Sequence, residues 1–380
     1  MSKKYRNTPL LGPLLLLRRA LSTRRLVRRR LRHLAPLMQP GRYRIRWNLA
    51  NRIPDPGSAR SAIHESFLRH NAGTTPILRL VERLPPRSVV VPGNAGAAED
   101  AGTPADVLLT RGQSTLLLAR DGNSIVRLFP KPEMARRILD NWTRFHPYLN
   151  VPRVEEIAAP VAGVHGVREA VVPGTTVWHA EPDAITRGFR DFLQQCARHA
   201  EIAEGRFGRD DEVRALFDWP IPAWLSRSLH ARAERLINLV AETPALYSHA
   251  DCHTGNLILL PDGGVGIIDL ERAETMPFFF DPLYMLRNYN RVGTLLREQY
   301  FSGAFDTELA AIWQAAGREF CPAMRLDYLL AVAMAHALRT QYVGDSIHTR
   351  VRKLAKPTRA LRPYCESEEA ELDIRQSPNR

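Results

Sequence analysis

The chain has 380 residues, 44% of them hydrophobic and 24% charged, which is the composition of a globular protein and not of a disordered one. Its net charge of +13 comes from the N-terminus, because residues 1–54 contain thirteen Arg, two Lys and no acidic residue. No apolar run approaches the roughly 20 residues that a membrane-spanning helix needs. The four cysteines lie far apart and predict neither a zinc site nor a disulfide framework, so we expect a cytoplasmic protein.

The basic segment 1–54 is predicted to be an N-terminal arm that begins with an amphipathic helix, because apolar residues recur at helical steps over about residues 14–38. Two interpretations remain open. Residues 1–40 can lie peripherally on an anionic membrane, which gains roughly 1 kcal/mol per basic residue close to the lipid. Alternatively, the helix packs on the protein body and leaves its arginines in water. Nucleic-acid binding is disfavoured, since few aromatic residues accompany the basic ones.

Strand signals dominate residues 55–172, helical signals dominate residues 173–365, and residues 366–380 form a charged acidic tail. Residues 92–106 are small, polar and turn-rich, which predicts a flexible loop. The predicted strands are residues 43–49, 107–110, 115–119, 124–129, 167–172, 257–260 and 265–268, and the predicted helices are residues 133–145, 181–204, 222–241, 292–300, 307–317 and 324–341. This order predicts an α+β protein with a small β-rich lobe before a larger helical lobe.

The most informative stretch is residues 249–256, which read H-A-D-C-H-T-G-N and are followed by a predicted hairpin that ends in I-I-D at Asp269. Phosphoryl transfer needs a carboxylate near the acceptor hydroxyl and oxygen ligands for magnesium. Asp251 is the predicted catalytic base or hydroxyl-orienting group, and Asn256 and Asp269 are the predicted metal ligands. The alternative is a surface loop with ordinary turn residues. An apolar strand directly before Asp269 argues against it, because an unpaired charge there would be costly.

These motifs resemble the aminoglycoside phosphotransferase and choline kinase family, whose loop reads approximately H-G-D-x-H-x-x-N followed by I-D-x-E/D. The resemblance continues in F-D-P-L at residues 280–283 and in the hinge-like segment 167–174, and it covers about residues 107–340. It implies a two-lobed protein-kinase-like fold with a small β-rich nucleotide-binding N-lobe, a larger helical C-lobe that binds the acceptor, and here a basic helical N-terminal extension. It also implies ATP and Mg²⁺ as cofactors.

The resemblance assigns further residues. His249 and His253 would support the catalytic loop, while Glu271 would assist metal or substrate binding or would be an ordinary exposed acid. The turn at residues 111–115 would cover the nucleotide phosphates through Gly112 and Ser114, although a generic hairpin turn explains it nearly as well. Glu169 lies in the segment that resembles the hinge between the lobes.

The sequence departs from the family at two positions. Ala250 stands where the family has glycine, and Arg127 stands where it has a lysine that contacts nucleotide phosphates. Arginine binds phosphate, but its planar fork is not equivalent to an ammonium group. Glu133 is the predicted carboxylate partner of Arg127, with an exposed acid at a helix start as the alternative.

The predicted function is an ATP- and Mg²⁺-dependent phosphotransferase that phosphorylates a hydroxyl of a small molecule or of an envelope glycolipid or sugar. The basic N-terminal arm favours an anionic or membrane-borne acceptor. The alternative function is a catalytically weak, kinase-like scaffold that is recruited to an anionic membrane surface; Arg127 favours this alternative, whereas the retained Asp251, Asn256 and Asp269 argue against it.

Overall fold

A computed structural model of the protein describes residues 22–23, 25–45, 48–53, 88–91, 105–111, 114–119, 122–157, 161, 163–288, 290–340 and 345–367. Several predictions lie outside these residues: the start of the predicted helix before residue 22, most of the predicted loop 92–106, Gly112, and most of the acidic tail. The described residues form two compact units, one within Met1–Trp142 and Pro152–Val171, the other within Thr143–Val151 and Val172–Arg380.

The first unit is built on an eight-stranded sheet in the order β3-β1-β2-β4-β5-β6-β8-β7, in which every pair is antiparallel. Its strands are β1 (Gly41–Ile45), β2 (Leu49–Arg52), β3 (Ser88–Val91), β4 (Ala105–Arg111), β5 (Ser114–Ala119), β6 (Ser124–Phe129), β7 (Val154–Ile157) and β8 (His165–Ala170). One helix of this unit, Pro132–Phe145, has the bounds expected from its sequence within one residue and runs into the second unit. The predicted strand 43–49 is divided between β1 and β2.

Alternate residues of the central strands lie on opposite faces of this sheet, as the period of two in a strand requires. Leu116 and Leu118 of β5 belong to a buried cluster with Leu49 on one face. Leu117 of the same strand belongs to a different cluster, with Leu108 of β4, on the other face. Both faces of β5 are therefore covered, and the strand is buried over its whole length.

The N-terminal segment packs on the Leu117 face of this sheet. Residues 25–33 are helical, and a 3-10 helix follows at Ala35–Leu37. The segment contributes Val27, Leu31, Leu34, Leu37 and Met38 to the cluster of Leu117, and Val27 and Leu31 are 0% exposed. The apolar face of these residues is thus turned to the protein interior and is not available to a membrane. For residues 25–38 the packing interpretation is correct, and the extension shares one sheet with the predicted nucleotide lobe.

The second unit is mainly helical. It also contains a three-stranded sheet in the order β12-β11-β9 and a two-stranded ribbon of β10 and β13. Its strands are β9 (Thr175–Thr176), β10 (Ala245–Ser248), β11 (Leu257–Leu259), β12 (Val265–Ile267) and β13 (Glu274–Pro277). Its α-helices are Pro182–Ala200, Asp210–Ala215, Ala223–His230, Ala233–Ala241, Phe280–Tyr284, Arg291–Phe301, Asp306–Ala315, Arg325–Ala337 and Ile347–Thr358, and its 3-10 helices are Val177–His179, Leu216–Asp218, Leu270–Arg272, Met285–Arg287, Pro322–Met324 and Arg359–Leu361.

The helix Arg325–Ala337 is the core of this unit, because every residue from Leu326 to Ala337 is buried. The predicted single helix 222–241 is instead two helices, which are separated at Arg232, where φ is −123°. Arg232 is buried and its Nε lies 3.0 Å from a carboxylate oxygen of Asp327 on the core helix. No helix in the described part of the chain is both long and apolar enough to cross a membrane. The predicted α+β class, with a β-rich part before a helical part, is confirmed.

Candidate active site

The loop 249–256 begins where β10 ends, and the carboxylate of Asp281 holds its first residues. Asp281 is buried and accepts hydrogen bonds from the main-chain N–H groups of His249, at 2.7 Å, and Ala250, at 2.9 Å. Burial raises the pKa of Asp281, while these two N–H groups and His249 favour its charged form and oppose that shift. One carboxylate from the F-D-P-L segment therefore fixes the entrance to the loop.

Ala250 adopts a left-handed backbone conformation, with φ at 60°. This conformation costs a residue with a Cβ atom roughly 1–2 kcal/mol, which explains why glycine stands here in the family that the sequence resembles. The side chain of Ala250 is fully buried. The surrounding contacts must therefore compensate for a strained residue directly before Asp251.

Arg339 provides one of these contacts. Its guanidinium, only 2% exposed, donates to the main-chain oxygen of Ala250 and to the carboxylate of Glu274. It also donates to the main-chain oxygen of Arg272 at 2.9 Å. Thr340 completes the cluster, since its N–H and hydroxyl donate to Glu274 at 3.0 and 2.6 Å. Sequence reasoning missed Arg339; a lone arginine directly after the apolar run of residues 328–338 was the available signal.

Asp251 is 6% exposed and lies beside Arg272, whose Nη1 is 3.5 Å from the Asp251 Oδ2 atom. The main-chain oxygen of Asp251 accepts a hydrogen bond from the Asn256 side-chain amide at 3.0 Å. This contact uses the nitrogen of the Asn256 amide. It therefore also fixes the orientation of the amide oxygen, which lies on the other side of the group. This hydrogen bond joins the main chain of Asp251, the predicted catalytic residue, to the side chain of Asn256, a predicted metal ligand.

Asn256 also connects the loop to the segment that carries Asp269. The N–H of Ile268 donates to the Asn256 main-chain oxygen at 3.0 Å, one residue before Asp269. Asp269 has a left-handed φ of 71° and precedes the 3-10 helix Leu270–Arg272, which contains the half-buried Glu271. The hairpin of β11 and β12 therefore brings Asp269 next to the end of the loop.

Two histidines stabilise this arrangement. His249 Nε2 lies 3.0 Å from the Ile268 carbonyl oxygen, and the Asp251 N–H donates to His249 Nδ1 at 3.3 Å. His253 Nδ1 accepts from the Gly255 N–H at 2.9 Å. Burial lowers the pKa of His253, and the carboxylates of Asp251 and Asp269 both oppose that shift. Both carboxylates therefore act on the same imidazole.

The donor set at this site fits a hard cation. Asp269 and Asn256 offer a carboxylate and an amide oxygen, the ligand types that magnesium prefers, and magnesium commonly takes its remaining ligands from phosphates and water. Across the described residues, no group of three or more His, Cys, Asp or Glu side chains is arranged to hold a metal by itself. A site of two protein oxygens, completed by a nucleotide, is consistent with both observations.

Cys252 lies between Asp251 and His253 and is fully buried. Burial raises the pKa of its thiol well above the usual range, and the nearby carboxylates of Asp281 and Asp251 act in the same direction. The side chain is consequently a neutral part of the loop's packing and not a nucleophile.

In the first unit, Arg127 forms a buried ion pair with Glu169. The Arg127 Nε atom is 2.8 Å from Glu169 Oε1, and Nη2 is 3.3 Å from Oε2. The partners lie diagonally on β6 and β8, since Ile125 is opposite Glu169 and Arg127 is opposite Val167. The predicted pairing of Arg127 with Glu133 is wrong: Glu133 is exposed at the start of its helix. A diagonal neighbour in the same sheet is held closer to Arg127 than a helix side chain that faces water.

Of the remaining predicted residues of this unit, Ser114 is buried at the first position of β5, opposite Arg111 of β4. Gly112, in the same turn, lies outside the described residues. Glu169 keeps its place on the strand that leads to the predicted hinge, but its carboxylate is occupied by Arg127.

The chain belongs to the phosphotransferase enzyme family, because the model of that family matches residues 111–316, more than half of the sequence. This confirms the predicted family and, with it, an enzyme that transfers a phosphoryl group. Arg339 and the N-terminal extension lie outside the matched residues. No curated protein matches the chain significantly.

Several solved structures are similar to the chain over most of their length. One is the aminoglycoside phosphotransferase APH(3'')-Id from Streptomyces rimosus in complex with ADP and streptomycin, at 16% identity and a TM-score of 0.37, covering 58% of this chain and 90% of that one. Another is the GDP and kanamycin complex of APH(2")-IIia, at 13% identity and a TM-score of 0.44, covering 69% of this chain and 92% of that one. A third is the macrolide 2'-phosphotransferase MphH from Brachybacterium faecium, at 14% identity and a TM-score of 0.42, covering 63% of this chain and 88% of that one. At these TM-scores the likenesses carry no argument about the acceptor.

Proposed function

We propose that the protein transfers the terminal phosphoryl group of ATP, with Mg²⁺, to a hydroxyl of a small molecule or an envelope glycolipid. The observation that carries this proposal is the pair of contacts made by Asn256, whose side chain binds the Asp251 main chain and whose carbonyl binds Ile268, next to Asp269. These contacts hold the three oxygen-bearing side chains on two joined segments, which supports a common role.

In this proposal Asp251 orients the acceptor hydroxyl and takes its proton as the hydroxyl oxygen bonds to the terminal phosphorus of ATP and ADP leaves. Asn256 and Asp269 would hold Mg²⁺, which would neutralise charge on the triphosphate. His249 and His253 keep the loop in place through the ring contacts described above. Glu271 follows the metal-binding segment closely enough to assist it.

Arg272 supports a neutral or anionic acceptor over a polycationic one. Its side chain is 54% exposed and stands 3.5 Å from Asp251, where the reacting hydroxyl would have to lie. A cationic antibiotic would meet this charge, whereas a phosphorylated sugar or an anionic headgroup would be attracted to it. The arginines Arg25 and Arg32 are exposed on the N-terminal helix and favour peripheral attachment, on the cytoplasmic side, to a membrane that carries such an acceptor.

A second candidate function is a kinase-like scaffold with little turnover. It is favoured by the ion pair of Arg127 with Glu169, because the guanidinium that would bind phosphate is already engaged by a carboxylate. In the active enzyme, nucleotide phosphates would have to share or displace that contact.

The test is phosphoryl transfer from labelled ATP to fractionated soluble metabolites and envelope lipids, by the wild type, Asp251→Asn and Asp269→Asn. We expect Asp251→Asn to bind ATP normally but to lose at least about 100-fold in turnover, and Asp269→Asn to lose magnesium-dependent nucleotide binding. Asp140→Asn, an exposed and matched change, serves as the control. Transfer that survives Asp251→Asn would refute the assigned role, and a wild type without transfer to any fraction would favour the scaffold.

A further inference from the structure

The side chain of Arg30, on the N-terminal helix, contacts the last two residues of the predicted phosphate turn. Arg30 Nη1 donates to the main-chain oxygen of Ser114 at 2.9 Å and to the Thr115 hydroxyl at 2.5 Å. Ser114 and Thr115 are both buried, at 5% and 3% exposed. They are the first two residues of β5, and they pair with Arg111 and Thr110 at the end of β4. Arg30 thus holds the side of the turn that leads into β5.

The direction of approach separates this contact from direct phosphate binding. Thr115 lies on the same sheet face as Leu117, the face that the N-terminal helix covers. Ser114 and Leu116 point to the other face, which also carries Arg127, since Arg127 is opposite Leu116. Arg30 therefore reaches β5 from behind, away from the face of Ser114 and Arg127.

Arg30 lies on a segment that is packed against the sheet, so its contacts are not those of an isolated surface side chain. The neighbouring Val27 and Leu31 are fully buried against the same sheet. Burial lowers the pKa of Arg30, because its guanidinium has exchanged part of its hydration for these contacts. A charged donor that fixes a buried carbonyl in this way contributes more than a neutral one.

We propose that Arg30 is a positioning residue for nucleotide binding, so that the N-terminal extension is a working part of the nucleotide lobe. By fixing the Ser114 peptide, Arg30 holds Ser114, a residue predicted to contact the phosphates, in place before the nucleotide binds. This inference rests on the proposed function, because it takes ATP as the phosphoryl donor and Ser114 as a neighbour of its phosphates.

The experiment measures the Kd of magnesium-ATP by titration calorimetry for the wild type, Arg30→Ala, Arg30→Lys and Thr115→Val. Arg29→Ala is the matched control, because it removes the same group from the adjacent, exposed position. We expect Arg30→Ala to raise the Kd about tenfold, Arg30→Lys to restore part of the affinity, and Arg29→Ala to have no effect. Thermal unfolding of each variant separates loss of affinity from loss of fold.

A double-mutant cycle tests the contact itself. If Arg30 acts through Thr115 and its neighbour, Arg30→Ala combined with Thr115→Val raises the Kd less than the two single effects added together. An unchanged Kd in a folded Arg30→Ala variant would overturn the inference and leave the proposed function intact. If Arg30→Ala does not fold, Arg30→Met, which keeps the apolar stem and removes both hydrogen bonds, takes its place, and an unchanged Kd there has the same meaning. A wild type that does not bind ATP would refute the proposed function itself, and this inference with it.

Discussion

The guanidinium of Arg339 donates to the main-chain carbonyl of Ala250, the residue directly before Asp251. The same group binds the carbonyl of Arg272 and the carboxylate of Glu274, which follow Asp269 in the chain. One buried side chain from the end of the core helix therefore connects the segment of the predicted base to the segment of the predicted metal ligand. Its loss should disturb their relative position before it disturbs substrate affinity.

For this reason we expect Arg339→Lys to lower kcat by about tenfold or more, equivalent to roughly 1.4 kcal/mol, with little change in the Kd of ATP. A lysine cannot reproduce a planar fork that serves three acceptors. Arg297→Lys is the control, because Arg297 is also buried and donates to the Leu286 carbonyl at 2.8 Å, on another part of the unit. An equal fall in kcat for both variants would show that Arg339 acts only through stability.

Ala250 gives a second prediction, because its left-handed conformation is strained for any residue with a Cβ atom. Ala250→Gly should raise the free energy of unfolding by about 0.5–1 kcal/mol and keep activity. Ala331→Gly, at a buried position inside the core helix, should instead lose about 1 kcal/mol. Urea unfolding of both variants measures the difference. A loss of stability at position 250 as large as that at position 331 would contradict the role assigned to the backbone.

Because Arg127 and Glu169 form a buried ion pair, we expect the effects of substituting them on the free energy of unfolding to be strongly coupled. Glu169→Leu should lower the free energy of unfolding by about 3–5 kcal/mol, because it leaves a buried guanidinium without its carboxylate. Arg127→Met combined with Glu169→Leu should recover most of that loss, since no buried charge remains. Denaturant unfolding of the two single variants and the double variant gives the coupling energy. Strictly additive losses would mean that the pair is not the main interaction of either residue.

His199 predicts how stability depends on pH. Its ring is buried between Phe145 and Tyr148, and burial lowers its pKa from 6.5 to about 4. Between these values the unfolded chain binds more protons than the folded one, so stability is complete above pH 6.5 and falls as the pH decreases toward 4. The full effect of this group is about 3 kcal/mol. His199→Phe should reduce the slope of unfolding free energy against pH in that window, whereas His230→Gln, at an exposed position, should not.

The N-terminal extension predicts unequal effects of truncation. Removing residues 1–40 takes away Val27, Leu31 and the other buried residues of the segment, and it exposes the sheet face around Leu117. We expect this protein to unfold at a clearly lower temperature or to aggregate. Removing residues 1–21 takes away none of the described core and should leave the unfolding temperature nearly unchanged. Equal behaviour of the two truncations would contradict the packing described here.

The sequence predicted the loop of Asp251 and Asn256, the hairpin that follows, and Asp269, because each depends on local spacing and turn chemistry. It could not predict the partner of Arg127, which depends on the register of β6 against β8. It also left two interpretations of the amphipathic N-terminal helix open, since the same periodicity suits a membrane and a protein core. Arg339 was missed for a related reason: its acceptors, two main-chain carbonyls and the Glu274 carboxylate, are more than sixty residues away in sequence.

The burial of Cys252 has a practical consequence. A thiol that is neutral and enclosed reacts with alkylating reagents only when its surroundings open, so its labelling rate reports how often the loop of Asp251 departs from its native arrangement. With the half-exposed Cys321 replaced by serine, the labelling rate of Cys252 measures how often the candidate active site opens. If bound nucleotide stabilises the loop, it lowers the labelling rate of Cys252, and this can be measured without knowing the acceptor.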